Sequence, residues 1–97
     1  MEKQFFVYIV ASQKNGTIYI GVTANLKKRI WEHKNGVTEG FTEKYDVHNL
    51  VWYEQCENAE SAIHREKRLK KYTRRAKIRL IEKENLNWND LYEQICQ

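Results

Sequence analysis

Four side chains of this 97-residue chain could do chemistry together: Tyr8, Tyr19, Arg29 and Glu66. Two phenols, a fixed cation and a carboxylate gathered at one place are groups able to cut a phosphodiester. Phosphodiesters resist hydrolysis because their negative charge repels a nucleophile, and a cation on the non-bridging oxygens removes much of that penalty. Arginine suits the task because its planar fork stays charged and can donate two parallel bonds. A free tyrosine has a pKa near 10, so it serves as base only where neighbours favour the phenolate, and otherwise orients water.

The elements that must bring these residues together are legible in outline. FFVYIVA (Phe5–Ala11) and TIYIGV (Thr17–Val22) read as strands joined by a turn at Asn15-Gly16. Asn-Gly favours a two-residue loop, and a four-residue loop keeps the same parity. With either, Tyr19 stands opposite Val10 or Ser12 and shares a face with Phe6, Tyr8 and Val10; an odd loop would separate the tyrosines. Taken singly, each tyrosine is equally a strand residue selected for β-propensity.

Thr23 or Asn25 caps a helix to about Lys34, which Asn35-Gly36 stops. In it Leu26, Ile30 and His33 follow helical spacing, and Arg29 lies on their flank, so Arg29 and His33 edge the apolar stripe and point toward the sheet. A snorkelling arginine and a hydrogen-bonded histidine would look the same. A polar loop follows from Val37 to His48, then a third strand, Leu50–Cys56. Asn58 caps a second helix to about Tyr72. Its Ala59, Ala62, Ile63 and Leu69 define a buried face with Glu66 in the middle. A carboxylate there is costly unless it is paired or binds a metal, and spacing alone does not choose between those. A third helix runs from about Arg74 to Glu84. Asn87 caps a short last one with Trp88, Leu91, Tyr92 and Ile95 on one face. The order β-β-α-β-α-α-α, without prolines or repeats, predicts one α+β domain over residues 1–97: a small, mostly antiparallel three-stranded sheet with helices on at least one face.

Charge points to the partner. The formal net charge is +4, yet from Lys67 to Arg79 eight of thirteen residues are Lys or Arg and none is acidic. Mutual repulsion in such a run favours a polyanion over a merely solvated surface, so Lys67, Arg68, Lys70, Lys71, Arg74, Arg75 and Lys77 are candidate nucleic-acid contacts. These would be sequence-independent phosphate contacts, implying structure-dependent rather than base-read substrate choice. Cys56 and Cys96 form no disulfide framework and lack metal-ligand spacing, as do His33, His48 and His64. Reduced thiols fit a cytoplasmic protein. No run is long enough for a membrane span, and the apolar N-terminus lacks a signal-peptide cleavage site.

Together these residues resemble the GIY-YIG nuclease family, and in particular its small stand-alone bacterial members. The name-giving tripeptides stand as Val7-Tyr8-Ile9 and Tyr19-Ile20-Gly21. Arg29 follows in LKKRIWEH, Glu66 in AIHREKRLKKYTRRAK, and the ending LIEKENLNWNDL is also similar. The resemblance implies a DNA endonuclease dependent on Mg²⁺ or Mn²⁺. Tyr8 or Tyr19 would act as general base or water positioner, Arg29 as phosphate clamp, and Glu66 as metal ligand. His33 would be an auxiliary acid–base or phosphate contact. Two positions depart from the family pattern. Val7 replaces a glycine, as in many relatives. Ile78 stands where some members carry an asparagine, for which Asn85 and Asn87 are the candidate substitutes. The rival expectations are a DNA-binding module with the nuclease fold and little turnover, and a protein-interaction domain in which the four residues are structural. A partner protein would then supply targeting. Repair, recombination and processing of foreign DNA all fit.

Overall fold

The chain's first apolar run forms β1 (Phe5–Ala11), and it pairs antiparallel with β2 (Ile18–Thr23) in the register that the parity argument requires: Val10 faces Tyr19 and Tyr8 faces Gly21. The computed structural model describes residues 4–37 and 46–97. The hairpin loop has four residues, Gln13–Gly16, rather than the two that Asn-Gly favours. It is closed by Gly16 N–H to Gln13 O at 2.9 Å and Ser12 N–H to Thr17 O at 3.0 Å. Asn15 rather than the glycine takes the left-handed backbone, at φ 62°.

β3 (Asn49–Cys56) pairs antiparallel with the other edge of β1, giving the order β2-β1-β3. Ile9 faces Trp52 but Val10 faces Leu50, so Val51 is an inserted bulge residue. The bulge turns Val51 and Trp52 to the same side, where both join one core cluster.

Local chemistry sets the helix starts. Asn25 caps α1 (Leu26–Lys34) through Lys28 N–H, Asn58 caps α2 (Ala59–Lys70) through Ser61 N–H, and Thr73 caps α3 (Arg74–Glu84) through Ala76 N–H. Each such cap is worth about 1 kcal/mol. The polar loop expected between Val37 and His48 falls mostly outside the described residues. Among the described residues no helix is long and apolar enough to cross a membrane.

Helices cover both faces of the sheet. On one, Leu26 and Ile30 of α1 bury against Tyr8, Val10 and Leu50, joined by Leu91, Tyr92 and Ile95 at the short α4 (Tyr92–Cys96). On the other, Ala62 and Leu69 of α2 and Ile81 of α3 bury against Val7, Ile9 and Trp52. Each fully buried Leu or Ile contributes roughly 1.5–3 kcal/mol by leaving water.

Two expectations are corrected. Ile63 is 45% exposed, because α2 seats the Ala62–Leu69 line on the sheet and leaves Ile63 on an outer flank. Trp88 is not on the last helix, and Asn87 does not cap it. Trp88 sits in a turn at φ 57° and packs on the α2–α3 side, with its indole N–H donating to Glu82 Oε2 at 2.7 Å.

The turn at Trp88 follows from Asn85. This side chain is 8% exposed and fully engaged: its amide donates to Val51 O at 3.1 Å and Asn89 O at 2.9 Å, and its oxygen accepts from Asn89 N–H at 3.0 Å. Asp90 then fastens the tail. It accepts from Leu50 N–H at 3.1 Å and from Lys34 at the end of α1, while Leu91 N–H donates to Leu50 O at 2.8 Å.

Candidate active site

Tyr8 lies in the central strand and is 1% exposed, yet its hydroxyl is the hub of a polar cluster. Arg29 Nε donates to Tyr8 Oη at 3.3 Å, and Tyr8 Oη lies 3.0 Å from His33 Nε2. Arg29 and His33 are four apart on α1, so one helix flank brings both to the same phenol. Glu32, three residues after Arg29, pairs with its Nη1 at 3.5 Å and steadies the guanidinium from the solvent side.

Gly21 makes this geometry possible. It faces Tyr8 across the hairpin, and a Cβ at that position would come within 2.5 Å of Tyr8 Oη and 2.6 Å of Cζ. The last residue of the YIG tripeptide is therefore the floor on which the Tyr8 ring lies. Tyr19, half-buried on the same face, completes an aromatic triangle: its ring centroid is 6.5 Å from Tyr8 and 5.9 Å from His33, and Tyr8 and His33 are 5.6 Å apart.

The electrostatics follow from burial. Burial pushes the Tyr8 phenol up, Arg29 pulls it back by hydrogen bond and charge, and the charges of Tyr19 and then Glu66 raise it; the net is upward. A resting phenolate, one of the two states that the residue types allow, is thus disfavoured at Tyr8. Burial, followed by the charge of Arg29, lowers His33 to about 4, so its imidazole is neutral at pH 7. With Nε2 as acceptor, the Tyr8 hydroxyl accepts from Arg29 and donates to His33. The Tyr8 hydroxyl in turn holds Arg29 above its usual range.

Glu66 stands on α2, in the layer on the other face of the sheet. α2 packs across β1 and β2, and Glu66 is near enough for its charge to be felt at Tyr8. Its side chain is 19% exposed, and Oε2 lies 3.5 Å from Lys70 Nζ one turn on. The salt bridge that residue types allow for Glu66 is therefore made to a lysine and not to Arg29. Among the described residues no three His, Cys, Asp or Glu side chains converge on a metal position. This donor set does not suit zinc, but it suits Mg²⁺ or Mn²⁺, hard ions that keep most of their waters and need one carboxylate.

The structure separates the predicted basic contacts. Lys67, Arg68, Lys71 and Arg75 are exposed, and none has an ion pair among the described residues. Lys70 is held by Glu66. Arg74 is engaged with the hairpin, its Nη2 donating to Asn15 O at 2.8 Å and Gly16 O at 2.6 Å, and Lys77 is half-buried. At the position of the missing asparagine, Ile78 packs on the core. Asn85 does not replace it, since its side chain is bonded to the backbone of Val51 on β3 and of Asn89 in the turn after α3. Glu32 and Gly21 are the supporting residues that a list of reactive groups omits. The three-residue step from Arg29 marks the first, and the register opposite Tyr8 marks the second. Burial pushes the Cys56 thiol up, and both cysteines are free.

The model of the GIY-YIG catalytic domain matches residues 4–79, a span that holds the aromatic pair of the sheet, the arginine of α1 and the glutamate of α2. The chain belongs to the GIY-YIG family. It is similar to UPF0213 proteins. A relative in Clostridium perfringens is 36% identical over 90 residues, covering 93% of this chain and 96% of that protein. One in Staphylococcus aureus is 36% identical over 76 residues, covering 78% and 92%. The solution structure of a UPF0213 protein from Bacillus halodurans is similar with a TM-score of 0.56 at 26% identity, over 93% of this chain and 95% of that one.

Proposed function

We propose that the protein is a metal-dependent endonuclease that hydrolyses DNA phosphodiesters, choosing substrates by structure rather than base sequence. The observation that carries this reading is the Arg29–Tyr8–His33 chain of hydrogen bonds. Arg29 binds a non-bridging oxygen of the scissile phosphate through Nη2, the nitrogen that neither Tyr8 nor Glu32 engages. Tyr19, the more exposed phenol, orients the attacking water. Tyr8 and neutral His33 take up its proton: the water proton passes to Tyr8 Oη as the Tyr8 proton passes to His33 Nε2. The water oxygen bonds to phosphorus as its proton moves, the P–O bond to the leaving strand breaks, and the leaving oxygen takes a proton from solvent while His33 ends as imidazolium. Glu66 holds the ion, which supplies positive charge at the leaving oxygen when bound. The exposed cations from Lys67 to Arg75 hold the flanking backbone.

The test is nicking of supercoiled or branched DNA with Mg²⁺ or Mn²⁺, wild type against Glu66→Ala. Metal-dependent nicking that disappears in the variant is expected. Nicking that survives the variant assigns the activity elsewhere.

One observation favours a second reading, a DNA-binding module with little turnover. The asparagine position is filled by the packed Ile78, and Asn85 is used up structurally. Wild type that binds DNA but nicks none with either metal would establish it.

A further inference from the structure

Glu66 is not waiting with bare oxygens. The ammonium of Lys70 lies 3.5 Å from its Oε2, and the two side chains differ in freedom: Glu66 is 19% exposed and Lys70 51%. Glutamate four residues before lysine is the favourable orientation of this helix pair, so the contact forms wherever α2 forms. The carboxylate is the fixed member and the ammonium the movable one. The ammonium holds one oxygen, and its positive charge beside the carboxylate opposes a hydrated divalent cation that seeks the same group.

We propose that Lys70 is a tethered competitor for the divalent cation, occupying Glu66 until a backbone phosphate draws its ammonium away, so that metal and DNA load cooperatively. The inference rests on the reading of Glu66 as the metal carboxylate. A phosphate tracking along α2 past the exposed Lys67 and Lys71 offers Lys70 a second anion on a flexible four-carbon stem. Once Lys70 bonds that phosphate, both Glu66 oxygens are open. Linkage then makes the effect mutual: DNA tightens the metal, and the metal, by releasing Lys70, tightens DNA by the same factor. The device would limit a nuclease whose phosphate contacts carry no sequence information, since it weakens metal binding when no substrate is present.

The experiment measures Mn²⁺ affinity of the DNA-free protein by electron paramagnetic resonance. Four proteins are compared: wild type, Lys70→Met, Lys67→Met and Glu66→Gln. Exposed ion pairs shift an equilibrium by up to about fivefold, so Lys70→Met should bind Mn²⁺ about three- to fivefold tighter. Lys67→Met removes an equal charge next to Glu66 without breaking a pair, and should change affinity less than about twofold by the same scale. Lys70→Met binding no tighter than Lys67→Met overturns the proposal. Glu66→Gln that leaves Mn²⁺ binding intact overturns the metal reading beneath it, a separate result. A second measurement follows anisotropy of a labelled duplex with a phosphorothioate backbone, with and without Mn²⁺. The gain in DNA affinity on adding Mn²⁺ should be smaller in Lys70→Met than in wild type, and equal gains in both would refute the coupling.

Discussion

The α1 flank and the α2–α3 corner carry the same kind of charge and treat it oppositely. On α1, Arg29 is bonded to a phenol that is 1% exposed and braced by Glu32, so its direction is fixed before any ligand arrives. At the corner, Lys67, Arg68, Lys71 and Arg75 stand in solvent with no ion pair among the described residues. The difference teaches how a small domain divides its cations. A charge that must meet a developing transition state has to be preorganised, because reorganisation at the moment of reaction raises the barrier. A charge that holds a backbone of any sequence gains from mobility.

The sharpest way to break the contrast is to truncate the fixed cation. Arg29→Ala should lower the cleavage rate by about 10²–10³-fold, the cost of losing one preorganised donor, with DNA affinity little changed. Equal losses in rate and affinity would make Arg29 one more corner lysine. The next test is acid titration of the fold. His33 is held near 4 in the folded protein against 6.5 when unfolded. As pH falls from 6.5 to 4 the unfolded chain takes up a proton that the folded one refuses, so stability drops through that window and levels off below it. The drop is about 3 kcal/mol, and urea unfolding of wild type against His33→Asn at pH 7 and pH 4 should reveal it as a difference between the two proteins. Cleavage should likewise hold until His33 protonates near pH 4.

Gly21→Ala sharpens the same side. A methyl group within 2.5 Å of the Tyr8 hydroxyl must push the ring off Arg29 and His33, costing about 1–3 kcal/mol of stability in denaturant unfolding. An unchanged midpoint would mean that the ring has room. The smallest effect belongs to the mobile side: Arg75→Ala should reduce the salt slope of DNA binding by about one and leave the rate at saturating DNA unchanged.

Much of this site is readable in the chain because it is built from short-range rules. Strand parity places Tyr8 and Tyr19 on one face, and helical spacing places Arg29 beside His33. Asn25 and Asn58 announce their helices because a cap needs only the next three residues, and Thr73 caps the third helix by the same rule. Apart from the hairpin loop, the misreadings are matters of what lies far along the chain. Ile63 has helical spacing with Ala59 and is still exposed, since which line of α2 meets the sheet is decided by β1 and β2. Trp88 leaves the expected helix because Asn85 binds Val51, a bulge residue thirty-four positions earlier. The phenolate that a neighbouring arginine would favour is opposed at Tyr8 by burial, which no residue type declares.

The matched stretch stops at residue 79, but the fastening of α1 does not. Asp90 grips Lys34 and the Leu50 amide at once, and the Lys34 ammonium also lies 5.2 Å from the Tyr92 ring. The helix that aims the guanidinium is thus moored by a segment that supplies none of the proposed catalytic groups. Trimming the chain back to the recognised signature would keep every proposed reagent and cast off the rope that holds them in line.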